Sequence, residues 1–176
     1  MLERKTADRN VDISKLGLMA LVVDDDAGMR TLVRRLLQRM KVGSKECGDG
    51  REALGMLETT KFDFALCDLN MKILDGIGFV TSVRNLPDMR LQVLPVIMIT
   101  GNASRIAVNS ARDAGINEVL VKPFTEGGLQ ARIKEVILRP RPFVFGPTYY
   151  GPCRRRRTDE RYRGPERRKN VSPVEI

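Results

Sequence analysis

The 176-residue sequence contains no histidine. That absence removes the commonest general base, the commonest metal ligand, and any route through a phosphohistidine on this chain. Chemistry here must run on carboxylates, lysine and hydroxyls. Cysteine is scarce: Cys47, Cys67 and Cys153 are odd in number and none has CxxC spacing, so neither a disulfide framework nor a zinc cluster is indicated, and reduced thiols are expected. No apolar run approaches the roughly 20 residues that span a bilayer. The stretch MLERKTADRNVDISK mixes charges with isolated apolar residues and lacks the continuous apolar segment of a signal peptide. The expected location is the cytoplasm.

Hydrophobic residues make up 42% of the chain, enough for a globular core, and the length suits one domain with a short extension. The net charge is +9, and its position matters more than its size. Residues 139–176 hold 11 Lys and Arg against 4 Asp and Glu, a net +7, which leaves 20 against 18, or +2, for residues 1–138. The basicity belongs to the C-terminal stretch.

Residues 18–138 alternate short apolar runs with amphipathic stretches, the pattern of βα units that build a parallel sheet covered on both faces. The predicted strands are MALVVD (residues 19–24), SKECG (44–48), DFALCD (63–68), LPVIMIT (94–100) and EVLVK (118–122). Each precedes a predicted helix: MRTLVRRLLQRM, REALGMLET, GIGFVTSVRN, SRIAVNSARDAG and TEGGLQARIKEVIL, with Gly115 as a helix stop. In the first of these, Met29, Leu32, Val33, Leu36, Leu37 and Met40 fall on one face, which predicts a core stripe. Its other side carries Arg30, Arg34 and Arg35, a candidate docking face for a partner protein. The fold class is therefore α/β: a doubly wound five-stranded parallel sheet with five helices, plus an irregular C-terminal extension. The division is an N-terminal extension over residues 1–16, a domain over 17–138, and a basic Pro/Gly/Arg-rich tail over 139–176 with no output domain. The break comes where RPRPFVFGP places three prolines after Leu138.

Ligands of an open parallel α/β sheet bind outside the carboxyl ends of the strands. Here those ends carry Asp24, Asp25 and Asp26 on the first strand, Asp68 on the third, Thr100 on the fourth, and Lys122 followed by Pro123 on the fifth. Clustered carboxylates repel one another unless a cation sits among them, and an all-oxygen donor set suits Mg2+. With such a cation present, an Asp68 carboxylate oxygen can act as nucleophile towards a phosphoryl group, while Lys122 and the Thr100 hydroxyl bind phosphoryl oxygens. Cys67, next to the nucleophile, alternates to the other side of its strand and is expected in the core.

LVVDDDAGMR, DLNMKILDG, ITG and VLVKPF, in this order and spacing, resemble the four signature blocks of two-component response-regulator receiver domains. The resemblance covers about residues 18–138 and implies a single-domain, flavodoxin-like receiver. It implies Asp68 as phosphoacceptor, with Mg2+ held by Asp25, Asp68, the Asn70 backbone carbonyl and, through water, Asp24. It further implies Thr100 and Lys122 as phosphate-binding switch residues, a cis bond between Lys122 and Pro123, Asp26 as a helix cap, and an Asp75–Gly76 turn opening the third helix. Partners would be a sensor histidine kinase or histidine phosphotransfer protein and a downstream protein, with catalysis limited to the chain's own phosphoacceptance and slow autodephosphorylation. Three positions depart from the pattern: Lys72 stands where proline is frequent, Gly101 where alanine is frequent, and Val119 where the switch aromatic is frequent. Val119 shifts the expected switch towards movement of the helix after the fourth strand or towards homodimer formation.

Two other phosphate or nucleotide chemistries fail on single positions. A haloacid-dehalogenase-type phosphatase needs a second aspartate two residues after the nucleophile, where Asn70 stands, and a dinucleotide enzyme needs a glycine-rich turn where DDDAGM stands. The tail spaces Phe143, Phe145, Tyr149, Tyr150 and Tyr162 among Gly-Pro turns and repeats a GPxRR unit from Gly151 and Gly164. Apolar anchors rimmed by arginine suit docking on the chain's own receiver or on another acidic protein; nucleic-acid binding is the alternative.

Overall fold

A computed structural model describes residues 11–101, 104–146 and 149–154. Expectations for residues 1–10, and for the second GPxRR unit with Tyr162, lie outside them. After a 3-10 turn at Ile13–Lys15, the chain forms β1 (Met19–Val23), α1 (Ala27–Arg39), β2 (Gly43–Cys47), α2 (Gly50–Thr59), β3 (Phe64–Asp68) and α3 (Gly76–Arg84). It continues with α4 (Met89–Gln92), β4 (Val96–Thr100), α5 (Arg105–Asp113), β5 (Glu118–Val121) and α6 (Glu126–Leu138), and ends in β6 (Phe143–Gly146) and β7 (Tyr149–Pro152). The five parallel strands run in the order β2-β1-β3-β4-β5, a doubly wound, flavodoxin-like sheet.

Side-chain alternation splits the core into two layers. Leu21, Val23, Ala65, Cys67, Val96 and Met98 face α2, α3 and α5. Ala20, Val22, Phe64, Leu66, Ile97 and Ile99 face α1 and α6. Every residue of β3 and β4 is buried, which is why those segments read as continuous apolar runs. Short polar side chains set the helix starts: Asp26, Asp49, Asp75, Ser104 and Thr125 each accept a hydrogen bond from an N–H of the first turn that follows.

Three features depart from the periodicity reading. Leu32 is 45% exposed rather than part of the core stripe, because Val33 and Leu37 already fill the contact with the sheet. The single-turn helix α4 was not foreseen. The extension, expected to be irregular, begins with an antiparallel hairpin that packs on the chain's own domain. Packing therefore continues past Leu138, where the composition break placed the domain's end.

That hairpin covers an unusual group. Arg84, the last residue of α3, is 2% exposed, and its guanidinium makes five hydrogen bonds, all to neutral acceptors: the backbone oxygens of Gln92, Leu94 and Gly115 (twice) and Oδ1 of Asn117, at 2.7–3.2 Å. Burial pushes its pKa down to about 9, still high enough to keep the charge at neutrality. The fully buried Phe143 ring closes over it, 5.0 Å from centroid to Cζ. The Tyr150 hydroxyl reaches Oε1 of Gln92 at 2.5 Å, and Arg141 donates to the carbonyls of Asn117 and Cys153. Gly115 has φ +94°, and a Cβ built on Gly151 would lie 2.7 Å from the Gly115 Cα, so the two glycines allow direct backbone contact between domain and hairpin.

Phe143→Ala should therefore cost the whole domain about 3 kcal/mol, the usual range for emptying a buried aromatic site. Phe145→Ala, at a half-buried position, should cost far less. Urea denaturation followed by far-ultraviolet circular dichroism checks both. A Phe143→Ala protein as stable as the parent would mean that the hairpin is not part of the folded unit.

Candidate functional site

The carboxyl ends of β1, β3, β4 and β5 converge at one end of the sheet. Parallel pairing in register places Val23 beside Cys67, Asp68 beside Ile99, and Thr100 beside Val121. Asp24 and Asp68 are 3% and 7% exposed, and the Lys122 ammonium lies between them, Nζ 2.6 Å from Asp68 Oδ1 and 3.2 Å from Asp24 Oδ2. The remaining carboxylate oxygens accept backbone bonds: Asp24 Oδ1 from the N–H of Asp26 at 2.9 Å, and Asp68 Oδ2 from the N–H of Asn70 at 2.7 Å. Burial raises the pKa of Asp24, and the Asp26 N–H and Lys122 charge only partly offset it. Burial also works against the Lys122 ammonium, but the hydrogen bond to Asp68 and the charges of both aspartates outweigh it, so its pKa is raised. The pair thus favours the charged lysine more than the charged Asp24.

Loop geometry holds Asp68 in place. Gly76 opens α3 directly beneath the end of β3, its N–H bonded to the Leu69 carbonyl at 3.0 Å. A Cβ on Gly76 would overlap the Asp68 carbonyl oxygen and lie 2.8 Å from Met98 Sδ. The Lys122–Pro123 bond is cis, and the Lys122 N–H bonds the Thr100 carbonyl at 2.8 Å, joining the ends of β4 and β5.

The remaining positions are placed as follows. Thr100 is buried at the end of β4, one residue from the exposed Gly101, where an added Cβ would meet nothing within 4 Å. An alanine would fit at Gly101, so sterics do not demand this departure. Lys72 is exposed. Val119 is half-buried beside Met98, packed into the layer that faces α5. Asp25 is exposed at the mouth of the cluster. Asp26 caps α1, accepting from the N–H groups of Gly28 and Met29. Among the proposed docking arginines, Arg34 pairs with Glu46 at 2.9 Å. Arg30 turns inward and donates to the Asp24 carbonyl at 2.7 Å, a tie the helix-face reading missed although a residue one turn into α1 is within reach of the strand end. Cys67 is fully buried, with its thiol pKa driven well up by burial.

The donor set fits a hard cation. The Asp24 and Asp68 carboxylates offer oxygen donors, and the Lys122 ammonium already supplies positive charge where they meet. Among the described residues no three acidic, histidine or cysteine side chains form a preassembled cage.

Comparison with known proteins decides the family. The family model described as "Response regulator receiver domain" matches residues 20–134. The chain belongs to the response-regulator receiver family. Chemotaxis protein CheY of Pseudomonas aeruginosa is 39% identical over 120 residues, covering 68% of this chain and 95% of that protein. Chemotaxis protein CheY-3 of Vibrio cholerae is 38% identical over 120 residues, covering 68% and 91%. Among solved structures, a chemotaxis CheY of Vibrio cholerae has a TM-score of 0.62 at 31% identity, over 68% of this chain and 98% of that one. The receiver domain of a sensor histidine kinase from Pseudomonas aeruginosa, solved with a magnesium ion in its active-site cleft, has a TM-score of 0.62 at 27% identity, over 69% and 98%. The receiver is thus a two-component signalling domain, and no helix among its described residues is long and apolar enough to cross a membrane.

Two outcomes are expected at this receiver's site. In chelator, Asp24→Asn should raise the urea midpoint, since it removes a buried carboxylate whose ionised form burial disfavours; a lowered midpoint would show that the Lys122 contact outweighs burial. Gly76→Ala should displace the backbone at Asp68, which shows as large amide shifts for residues 68–70 in heteronuclear NMR. Shifts confined to α3 would mean that the helix moves instead.

Proposed function

We propose that Asp68 accepts a phosphoryl group from the phosphohistidine of a sensor histidine kinase or histidine phosphotransfer protein, and that this modification switches the protein's interactions with other proteins. The carrying observation is the buried Asp68 carboxylate bonded by Lys122 at 2.6 Å and flanked by Asp24 at the strand ends. An Asp68 carboxylate oxygen attacks phosphorus, the phosphorus–nitrogen bond to the donor histidine breaks, and the imidazole departs with its electron pair and takes a proton. The Asn70 N–H holds one Asp68 oxygen in place, which leaves the oxygen now paired with Lys122 as the nucleophile. Asp25, Asp68, the Asn70 carbonyl and, through water, Asp24 would hold magnesium. When bound, the ion supplies positive charge to the phosphoryl oxygens and relieves the repulsion among the carboxylates.

Once Asp68 is esterified it no longer offers Lys122 a full carboxylate charge, so the ammonium turns to a phosphoryl oxygen. Thr100, one register step away at the end of β4, supplies a hydroxyl to another. Lys122 moves because its former partner has changed charge. With Val119 in place of a large aromatic, the rearrangement passes through the loop after Thr100 and α5, and homodimer formation is one outlet for it.

Incubation with acetyl phosphate and magnesium, followed by peptide mapping in a mass spectrometer, should find the adduct on Asp68 alone. Uptake retained in Asp68→Asn, or undiminished in excess chelator, would sink the assignment. Lys122→Ala should still take up phosphate, but should lose the change in elution volume that beryllofluoride produces in the parent on size exclusion. An unchanged elution volume in the parent as well would remove the homodimer outlet.

A further inference from the structure

A second polar cleft lies on the flank of the domain, between α5, β5, α6 and the C-terminal hairpin. It is half open to solvent, with a volume of about 740 Å³, within the range of small-molecule sites. Four arginines line it, from four separate segments: Arg112 on α5, Arg132 on α6, Arg141 before β6, and Arg154 after β7. The acids that line it are Asp113 and Glu118, so arginine exceeds acid by two. Arg141, Tyr149 and Arg154 lie beyond the residues 20–134 matched by the receiver model, so the cleft exists only because the hairpin folds back.

The arginines are not equivalent. Arg132 pairs with the buried Glu118 at 3.2 Å, and Arg141 is tied to backbone carbonyls, so both are held in fixed positions. Arg154 stacks on the Tyr149 ring at 4.1 Å and pairs with the exposed Asp113 at 2.7 Å, a contact that a stronger anion can replace. Arg112 is exposed and makes no ion pair among the described residues. The cleft thus holds two anchored guanidinium groups, the exposed Arg112, and Arg154 laid over the Tyr149 ring.

We propose that this cleft binds a phosphate-bearing small molecule of nucleotide size. Arginine forks match phosphate oxygens two at a time, and four of them around one cleft supply more anion-binding capacity than Asp113 and Glu118 consume. The Tyr149–Arg154 stack provides a flat apolar and cationic surface for a ring system. The chain's own residues 155–176 hold eight Lys and Arg against four Asp and Glu, the wrong sign to complement this cleft. An acidic peptide has the right sign, but it would satisfy the arginines without using the ring surface.

The test is calorimetric titration of the full chain with ATP and with GTP, in magnesium-free buffer containing chelator, so that the Asp68 site takes no part. At least one nucleotide should bind saturably. Arg112→Glu and Arg154→Ala should each weaken it at least tenfold, while Arg105→Ala, on the same helix but outside the cleft, and the double tail substitution Arg167→Ala/Arg168→Ala should change it less than twofold. Parent-like circular dichroism and urea midpoints in the two cleft variants guard against unfolding. No saturable binding of either nucleotide would overturn the proposal. So would binding that follows the tail substitutions rather than the cleft ones, or a hexaglutamate peptide that binds more tightly than both nucleotides.

Discussion

The contact of one ammonium with two buried carboxylates is the constraint around which the rest is arranged. Asp24 and Asp68 end adjacent parallel strands, and the register that pairs Val23 with Cys67 forces their side chains together. Without a counter-charge that geometry is repulsive, and Lys122, carried on β5 on the far side of β4, reaches across to bond both. The cis bond after Lys122 and the glycine at position 76 set the backbone on either side of this bridge. A site built this way is poised, because any change in charge at Asp68 alters what Lys122 can pair with.

The opposite ends of the strands carry a second buried charge, under a different rule. Arg84 has no acidic partner in its hydrogen-bonded shell and is satisfied entirely by carbonyl oxygens of Gln92, Leu94 and Gly115 and the side-chain amide oxygen of Asn117. Isolated burial of a guanidinium is unfavourable, and complete hydrogen bonding together with an aromatic cover makes it tolerable. The C-terminal hairpin supplies that cover through Phe143. The basic stretch after α6 is in this part a structural element of the receiver, and in folding back it also walls the arginine-lined flank.

Most of the fold was legible because local patterns and global architecture agree. Buried strands such as VIMIT must be apolar throughout, and amphipathic helices capped by Asp, Ser or Thr must start where those caps stand. The site residues were legible for a related reason: the carboxyl ends of parallel strands share one edge, so residues distant in sequence could be placed together before any distance was known. Periodicity failed where contact is decided by neighbours. Leu32 has the spacing of a core residue, but Val33 and Leu37 complete the seam and leave it outside.

The sequence by itself determined the strand order's consequences: which acids, hydroxyl and lysine share an end, and that the charge excess lies after residue 138. Only the tertiary structure decided what depends on side-chain reach and on non-local closure. Arg30 turns in towards Asp24, Arg84 is buried rather than solvated, and residues 143–152 form a hairpin instead of an irregular tail. Arg30 is settled by side-chain reach over six residues, whereas Arg84 and the hairpin share a non-local reason. A two-stranded ribbon or a buried arginine is stable only against a surface that supplies its missing partners, and that surface comes from segments 30 to 60 residues away in the chain, such as Gln92 beneath Tyr150 and Gly115 against Gly151.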